Sequence, residues 1–359
     1  MDQGLAMLTS TDAYSRGSVR ILIVDDSPVI RDILLNILRD EPSFEVVGVA
    51  QDGREAVRLA ATLRPDVITM DIHMPYMDGL EAIRQIMNTT PTPITVVSGD
   101  LHDGASDLAA KAIAAGALTV VEKPNGLSPV DYEAVRGQLV TAIRLVAGVE
   151  LVALSGNLPR ASEFQPGKGC PKIIAIGAST GGPGVLQQIL QALPGDLSLP
   201  IVIVQHITTG FGAGFVRWLN SVTAIEVRLA QDKELLMPGC ALIAPEGQHM
   251  TVQSGGVIKL DTSPPISGVR PSATRLFNSV ASIYQSAAVG VILTGMGNDG
   301  AAGLESLWRA GGYTIAQEEK SCVVFGMPKV AIEKGIVRQV LTPDEIAAFL
   351  IRLNEYYKV

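Results

Sequence analysis

The chain has 359 residues, more than one core usually organises, so two or three domains are expected. Hydrophobic residues make up 47% and charged residues 18%, which excludes a wholly disordered chain; 4% aromatic content predicts cores of Val, Ile, Leu and Ala. With 28 Lys+Arg against 36 Asp+Glu, the formal charge is −8 and no basic stripe interrupts it, which argues against a nucleic-acid binder.

From Val19 the apolar pattern alternates. It predicts strand Arg20–Val24, helix Val29–Leu38, strand Phe44–Ala50, helix Arg54–Leu63, strand Val67–Met70 and helix Leu80–Met87. Strand Ile94–Val97, helix Ser106–Ala114, strand Leu118–Val121 and helix Val130–Val146 follow. The first helix sets Ile30, Ile33, Leu34, Ile37 and Leu38 on one face. Such alternation predicts an α/β fold, a five-stranded parallel, doubly wound (βα)5 domain over residues 19–146, preceded by a loose extension at 1–18.

Residues 147–170 lose the rhythm and collect Gly156, Pro159, Pro166, Gly167 and Gly169, the composition of a linker. A second α/β domain is expected over residues 171–359, doubly wound and mainly parallel, with a short antiparallel excursion in the helix-free stretch Ile225–Leu260. Helix Ser272–Tyr284 is predicted to carry Leu276, Phe277, Val280, Ile283 and Tyr284 on one face. The uncharged stretch Ile173–Gly195 contains glycines and prolines and reads as strand-turn-helix rather than as a membrane span. No secretory pattern opens the chain, so a cytoplasmic location without membrane insertion is expected. Cys170, Cys240 and Cys322 are far apart, odd in number and without metal-ligand spacing, as in reduced, idle thiols.

In an open parallel sheet, residues just past the carboxyl ends of strands share one crevice. In the first domain these are Asp25, Asp26, Asp71, Ser98 and Lys123. Three carboxylates there repel one another and invite a hard divalent cation such as Mg²⁺. One of them can then attack phosphorus while a hydroxyl and an ammonium hold phosphoryl oxygens. Together with Met74-Pro75-x-Met-Asp-Gly79 and Lys123-Pro124, this set resembles the response-regulator receiver domain over about residues 19–140. The resemblance implies that Asp71 is the phosphorylated residue and that Ser98 and Lys123 sense the phosphoryl group. It also implies that Asp25, Asp26 and Asp71, with the His73 carbonyl, hold Mg²⁺. Many receivers carry an aromatic residue three before the lysine, where this chain has Val120, so an aromatic-flip mode of signalling is not implied.

In the second domain, Ile173-Ile-Ala-Ile-Gly-Ala-Ser-Thr-Gly-Gly182 turns a short apolar strand through a Gly-x-Ser-x-Gly elbow into a helix. This exposes Ser179 beside free N–H groups, as a nucleophile requires. His206 follows the apolar run Ile201–Val204, and Asp299 follows Val289–Thr294, so all three can converge as a serine triad. A rival reading exists, because Gly295-Met-Gly-Asn-Asp-Gly300 with Glu318 farther on also fits a dinucleotide-binding oxidoreductase.

Ile-Gly-Ala-Ser-Thr-Gly-Gly182, Gln205-His206, Gly210-Phe211, Ile243-Ala-Pro245, His249-Met250 and Arg270-Pro-Ser272 resemble the chemotaxis protein-glutamate methylesterase (CheB) catalytic domain. So do Leu293-Thr-Gly-Met-Gly-Asn-Asp-Gly300 and Ser321-Cys-Val-Val-Phe-Gly-Met-Pro328. The resemblance implies Ser179 as nucleophile, His206 as general base and Asp299 as its partner, with Thr180 and the Met296 amide around the oxyanion. It implies hydrolysis of glutamate 5-methyl esters, and deamidation of glutamines, on methyl-accepting chemotaxis receptors, with no cofactor in the catalytic domain. A chemotaxis-type histidine kinase would phosphorylate the receiver and relieve its cover of the active site. The alternative is a receiver-regulated module that docks receptors with weak or no hydrolase activity. His249 reads as a structural loop residue, and the departures at Ile207–Thr209 and Val269–Thr274 as borders of the substrate groove.

Overall fold

A computed structural model describes residues 18–99, 105–123, 129–147, 170–207 and 212–357, and they belong to two compact units. Nearly all of the expected extension and linker, and Thr208–Phe211 beside His206, lie outside the described residues.

The N-terminal elements are β1 (Val19–Val24), α1 (Pro28–Arg39), β2 (Phe44–Ala50), α2 (Gly53–Leu63) and β3 (Val67–Met70). Then come α3 (Gly79–Thr89), β4 (Ile94–Ser98), α4 (Ala105–Ala115), β5 (Thr119–Glu122) and α5 (Pro129–Val146). The strands form one five-stranded sheet in the order β2-β1-β3-β4-β5, with β1 parallel to both β2 and β3 and β3 parallel to β4. Strands β3 and β4 are buried along their whole length, which explains their mainly apolar character. Helix starts follow local chemistry. Ser27 caps α1 ahead of Pro28, while Asp52 and Asp78 accept from the N–H groups of Glu55 and Glu81 at 2.9 and 2.8 Å. On α1, Leu34, Ile37 and Leu38 are buried as expected, and Ile30 and Ile33 are half-buried.

The C-terminal elements begin with β6 (Ile173–Ala178), α6 (Gly182–Ala192), β7 (Ile201–Gln205), α7 (Gly212–Val222), β8 (Glu226–Leu229) and β9 (Cys240–Ile243). They continue with β10 (His249–Gln253), β11 (Val257–Asp261), α8 (Ala273–Tyr284), β12 (Ala288–Ile292) and α9 (Ala301–Arg309). The last are β13 (Tyr313–Gln317), α10 (Met327–Glu333), β14 (Gln339–Leu341) and α11 (Pro343–Tyr357). A seven-stranded sheet runs β14-β13-β12-β6-β7-β9-β8, parallel at every pairing. The expected antiparallel element is present as β10–β11, which forms its own two-stranded sheet while β8 and β9 extend the large one. Two apolar layers cover the large sheet. One joins Ile174, Ile176, Leu186, Ile203 and Phe349; the other joins Ile173, Val202, Leu276, Phe277 and Leu304.

Two expectations need correction. Ile283 is 40% exposed, because α8 buries Ala273, Leu276, Phe277, Val280 and Ala281 and Ile283 falls at the edge of that face, one residue from the helix end. His249 is no loop residue: it opens β10, is fully buried, and holds Nε2 3.1 Å from the Pro264 carbonyl. Among the described residues no helix is long and apolar enough to cross a membrane.

Candidate functional site

Strand order brings the second set of residues together. β6 lies between β7 and β12, and Ser179, His206 and Asp299 all follow the carboxyl ends of these three neighbours. Ser179 is held through its backbone: its N–H donates to Thr294 O at 3.0 Å, and its carbonyl accepts from Gly182 N and from Gln205 Nε2, both at 2.8 Å. The His206 N–H donates to Ala178 O at 3.0 Å, which ties the histidine to the residue before the serine. Among the described residues no hydrogen bond joins Ser179 Oγ to His206, a looseness common before substrate closes a site.

Two glycines make the elbow sterically possible. Gly181 has φ +78°, a left-handed conformation suited to glycine, and a Cβ on it would sit 2.3 Å from Val323 Cβ. A Cβ on Gly295 would sit 2.6 Å from Ser179 Cβ and 2.5 Å from Met327 Sδ. Gly295→Ala should therefore displace Ser179, with a fall in turnover and in thermal midpoint; unchanged values for both would show that the contact has slack. The same packing bears on the dinucleotide reading: Gly295 packs against the chain itself, its carbonyl accepting from Gly326 N and Met327 N at 3.2 and 2.9 Å.

His206 Nε2 lies 3.0 Å from Asp299 Oδ2. The same carboxylate accepts from Ser272 Oγ at 2.7 Å, Ala273 N at 2.6 Å and Thr274 N at 3.1 Å, and is 4% exposed. Burial alone would raise its pKa, but hydrogen bonds from His206 and Ser272 outweigh burial and hold it down at about 2. Segment Ser272–Thr274, expected at the groove border, thus sits directly against Asp299. Thr180 is half-buried and Met296 exposed, and neither backbone N–H is committed to an acceptor among the described residues.

Three polar residues around the elbow went unassigned in the sequence reading. Gln205 ends β7 and donates to both the Ser179 and His206 carbonyls. Gln317 ends β13 and accepts from Thr294 N at 2.8 Å, while Thr294 Oγ1 lies 3.0 Å from the Thr180 carbonyl. A glutamine closing a buried strand, Gln205 after an apolar run and Gln317 after a mainly apolar one, was the available signal.

In the N-terminal sheet, ligand oxygens of Asp25, Asp26 and Asp71 lie within 4.8 Å of one another. Asp25 and Asp71 are buried and Asp26 is exposed. Lys123 Nζ lies 2.9 Å from both Asp25 Oδ2 and Asp71 Oδ2. Asp71 Oδ1 accepts from Ile72 N at 2.8 Å. Ser98 Oγ is buried and has no hydrogen-bond partner among the described residues, and His73 is exposed. This all-oxygen cluster with one solvent-facing member fits a hard divalent cation.

Burial pushes the Asp71 pKa up, and the hydrogen bond and charge of Lys123 offset this only in part. The folded chain thus holds the Asp71 proton more tightly than the unfolded chain, whose value is near 3.8. Stability falls as pH rises from there through the folded value, and the loss is complete above it. Asp71→Asn should accordingly raise the urea midpoint of the receiver transition at neutral pH and leave it little changed in strong acid; a lower neutral midpoint would refute this.

Cys322 is buried and its thiol is pushed up to about 12 by burial, Cys240 is buried and also raised, and Cys170 is exposed. The two buried cysteines are therefore thiols, not thiolates, at neutral pH.

A family model described as CheB methylesterase matches residues 174–350, and one described as response regulator receiver domain matches residues 21–130. The chain is 42% identical over 344 residues to protein-glutamate methylesterase/protein-glutamine glutaminase 1 of Syntrophus aciditrophicus, covering 93% of this chain and 98% of that one. It is 44% identical over 345 residues to protein-glutamate methylesterase/protein-glutamine glutaminase 4 of Geobacter metallireducens, covering 93% and 99%. The crystal structure of the Thermotoga maritima CheB methylesterase catalytic domain is similar with a TM-score of 0.50 and 41% identity, over 51% of this chain and 98% of that one. With a receiver domain ahead of a CheB methylesterase domain and this identity along nearly its whole length, the chain belongs to the protein-glutamate methylesterase/protein-glutamine glutaminase family.

Proposed function

We propose that this chain is a phosphorylation-regulated carboxylic ester hydrolase that demethylates glutamate 5-methyl esters on chemotaxis receptors through Ser179, His206 and Asp299. The observation that carries the reading is the convergence of the three residues past adjacent strand ends, with Asp299 Oδ2 3.0 Å from His206 Nε2. With Nε2–H donated to Asp299, Nδ1 is the ring nitrogen left to take the serine proton. Ser179 Oγ attacks the ester carbonyl carbon as its proton passes to His206 Nδ1. The uncommitted N–H groups of Thr180 and Met296 serve the tetrahedral oxyanion. Collapse breaks the bond to the methoxy group, which takes the proton from His206 and leaves as methanol. Water, deprotonated by His206, then attacks the acyl-serine, releasing the glutamate carboxylate and restoring Ser179. A glutamine side chain presents the same carbonyl and would release ammonia, the deamidase reaction.

The receiver is the input. The Asp71 carboxylate attacks phosphorus of a kinase phosphohistidine, imidazole departs, and Lys123 and the Ser98 hydroxyl, unpartnered among the described residues, face the new phosphoryl oxygens. Asp25, Asp26 and Asp71, with the His73 carbonyl, would hold Mg²⁺, which when bound neutralises phosphoryl charge. Substrate receptors, a chemotaxis-type kinase and a cytoplasmic setting complete the reading.

The test is methanol release from a methylated chemoreceptor cytoplasmic fragment, with and without Mg²⁺ and acetyl phosphate. Release that rises with the phosphodonor supports both halves; no release from folded protein sinks the hydrolase reading. Asp71→Asn should keep basal release and lose the stimulation, and stimulation that persists would place the regulation elsewhere.

A further inference from the structure

We infer that Ser272 is a positioning residue of the hydrolase, a fourth member that orients Asp299 toward His206; the inference rests on the triad reading above. Ser272 precedes α8 and is fully buried. As a helix cap its hydroxyl oxygen accepts from Arg275 N, but at 3.4 Å this is a long contact. Its O–H donates to Asp299 Oδ1 at 2.7 Å, a short hydrogen bond to an ionised acceptor across 27 residues of chain. The hydroxyl is thus committed to the carboxylate more firmly than to the helix.

The geometry explains what that commitment does. An aspartate carboxylate rotates about the bond to its Cβ, and Oδ2 faces His206 Nε2 only while Oδ1 is fixed. Oδ1 is fixed by Ser272 Oγ and Thr274 N, while Oδ2 receives Ala273 N alongside His206. Thr274 Oγ1 also accepts from Gly300 N at 2.7 Å, which clamps the turn carrying Asp299 to the same helix start. Ser272 supplies the carboxylate's short hydroxyl hydrogen bond, with the Thr274 side chain as a weaker neighbour. Loss of the Ser272 hydroxyl leaves Oδ1 with Thr274 alone and no short hydroxyl hydrogen bond to set the angle.

Capping and positioning can be separated, because glycine replaces a serine cap at a much smaller cost in stability than alanine does. In the full-length protein, with the methylated receptor fragment as substrate, Ser272→Gly and Ser272→Ala should both lower kcat by about 10- to 100-fold. KM should stay within about two-fold, since an orienting group acts on the reacting state more than on binding. Ser272→Thr, which keeps the O–H, should restore most of kcat. Wild-type kcat in Ser272→Gly would overturn the inference, as would a loss confined to Ser272→Ala that follows its thermal midpoint. Asp299→Asn in the same assay separates the two levels. If it collapses while the Ser272 variants turn over normally, the triad stands and only this inference falls. If Asp299→Asn turns over normally, both fall.

Discussion

Ser179→Ala is expected to lower methanol release by about 10⁶-fold in kcat, the scale of losing the nucleophile from a serine triad. The fold should not notice. Everything that holds residue 179 in place is backbone: its N–H to Thr294 O, and its carbonyl to Gly182 N and Gln205 Nε2. Ser179 Oγ itself makes no hydrogen bond among the described residues, so alanine leaves no buried partner unsatisfied. An unchanged thermal midpoint beside collapsed turnover, and loss of covalent labelling by a fluorophosphonate, is the expected pair of results. Turnover retained by a folded Ser179→Ala would remove this residue from the chemistry and direct attention to a different nucleophile.

Asp299→Asn is expected to cost about 10⁴-fold, as when a triad carboxylate becomes an amide. The reason is an inventory of hydrogens. The two oxygens of Asp299 accept from Ser272 Oγ, Ala273 N, Thr274 N and His206 Nε2. Asparagine offers one oxygen and one NH₂ group, so one side of it must aim hydrogens at groups that are themselves donors. If the amide turns its nitrogen to His206, Nε2 must lose its proton and the tautomer with Nδ1–H results, which cannot take the serine proton. If it turns the other way, the Thr274 N–H and the Ser272 O–H lose their acceptor in a buried setting. The variant should therefore lose stability as well as turnover, whereas Ser179→Ala loses only turnover. The ionic contribution also has a pH signature. Folding lowers the Asp299 pKa from 3.8 to about 2, so its stabilisation is fully present above the unfolded value and lost as pH falls toward 2. The stability gap between wild type and Asp299→Asn should narrow across that acid window, and a gap independent of pH would show that the carboxylate charge is not what the α8 start holds.

Much of this was legible in the chain because buried parallel strands leave a plain mark. Runs such as Ile201–Val204 and Val67–Met70 are apolar but for Thr69, so the polar residues just after them stand out as edge residues: Gln205 and His206, and Asp71. Glycine at Gly181 and Gly295 likewise signals close approach before any coordinate is known. What the pattern does not carry is adjacency. The same periodicity in β8 and β9 fits an antiparallel excursion or a parallel edge, because period alone does not say which strand is the neighbour. Ile283 was misplaced for a related reason: it shares the helical spacing of the core face, and only the packing around α8 decides where that face ends.

By itself, then, the sequence determined two α/β domains, the acidic cluster with its lysine, and a serine elbow with a histidine and an aspartate at strand ends, because each depends on local period and on short motifs. Tertiary structure alone decided that β6 sits between β7 and β12, that Asp299 meets His206 across 93 residues, and that Gln205 and Ser272 brace Ser179 and Asp299. Those contacts are side-chain hydrogen bonds between segments far apart in the chain, and their partners are selected by strand order and burial rather than by neighbouring residues.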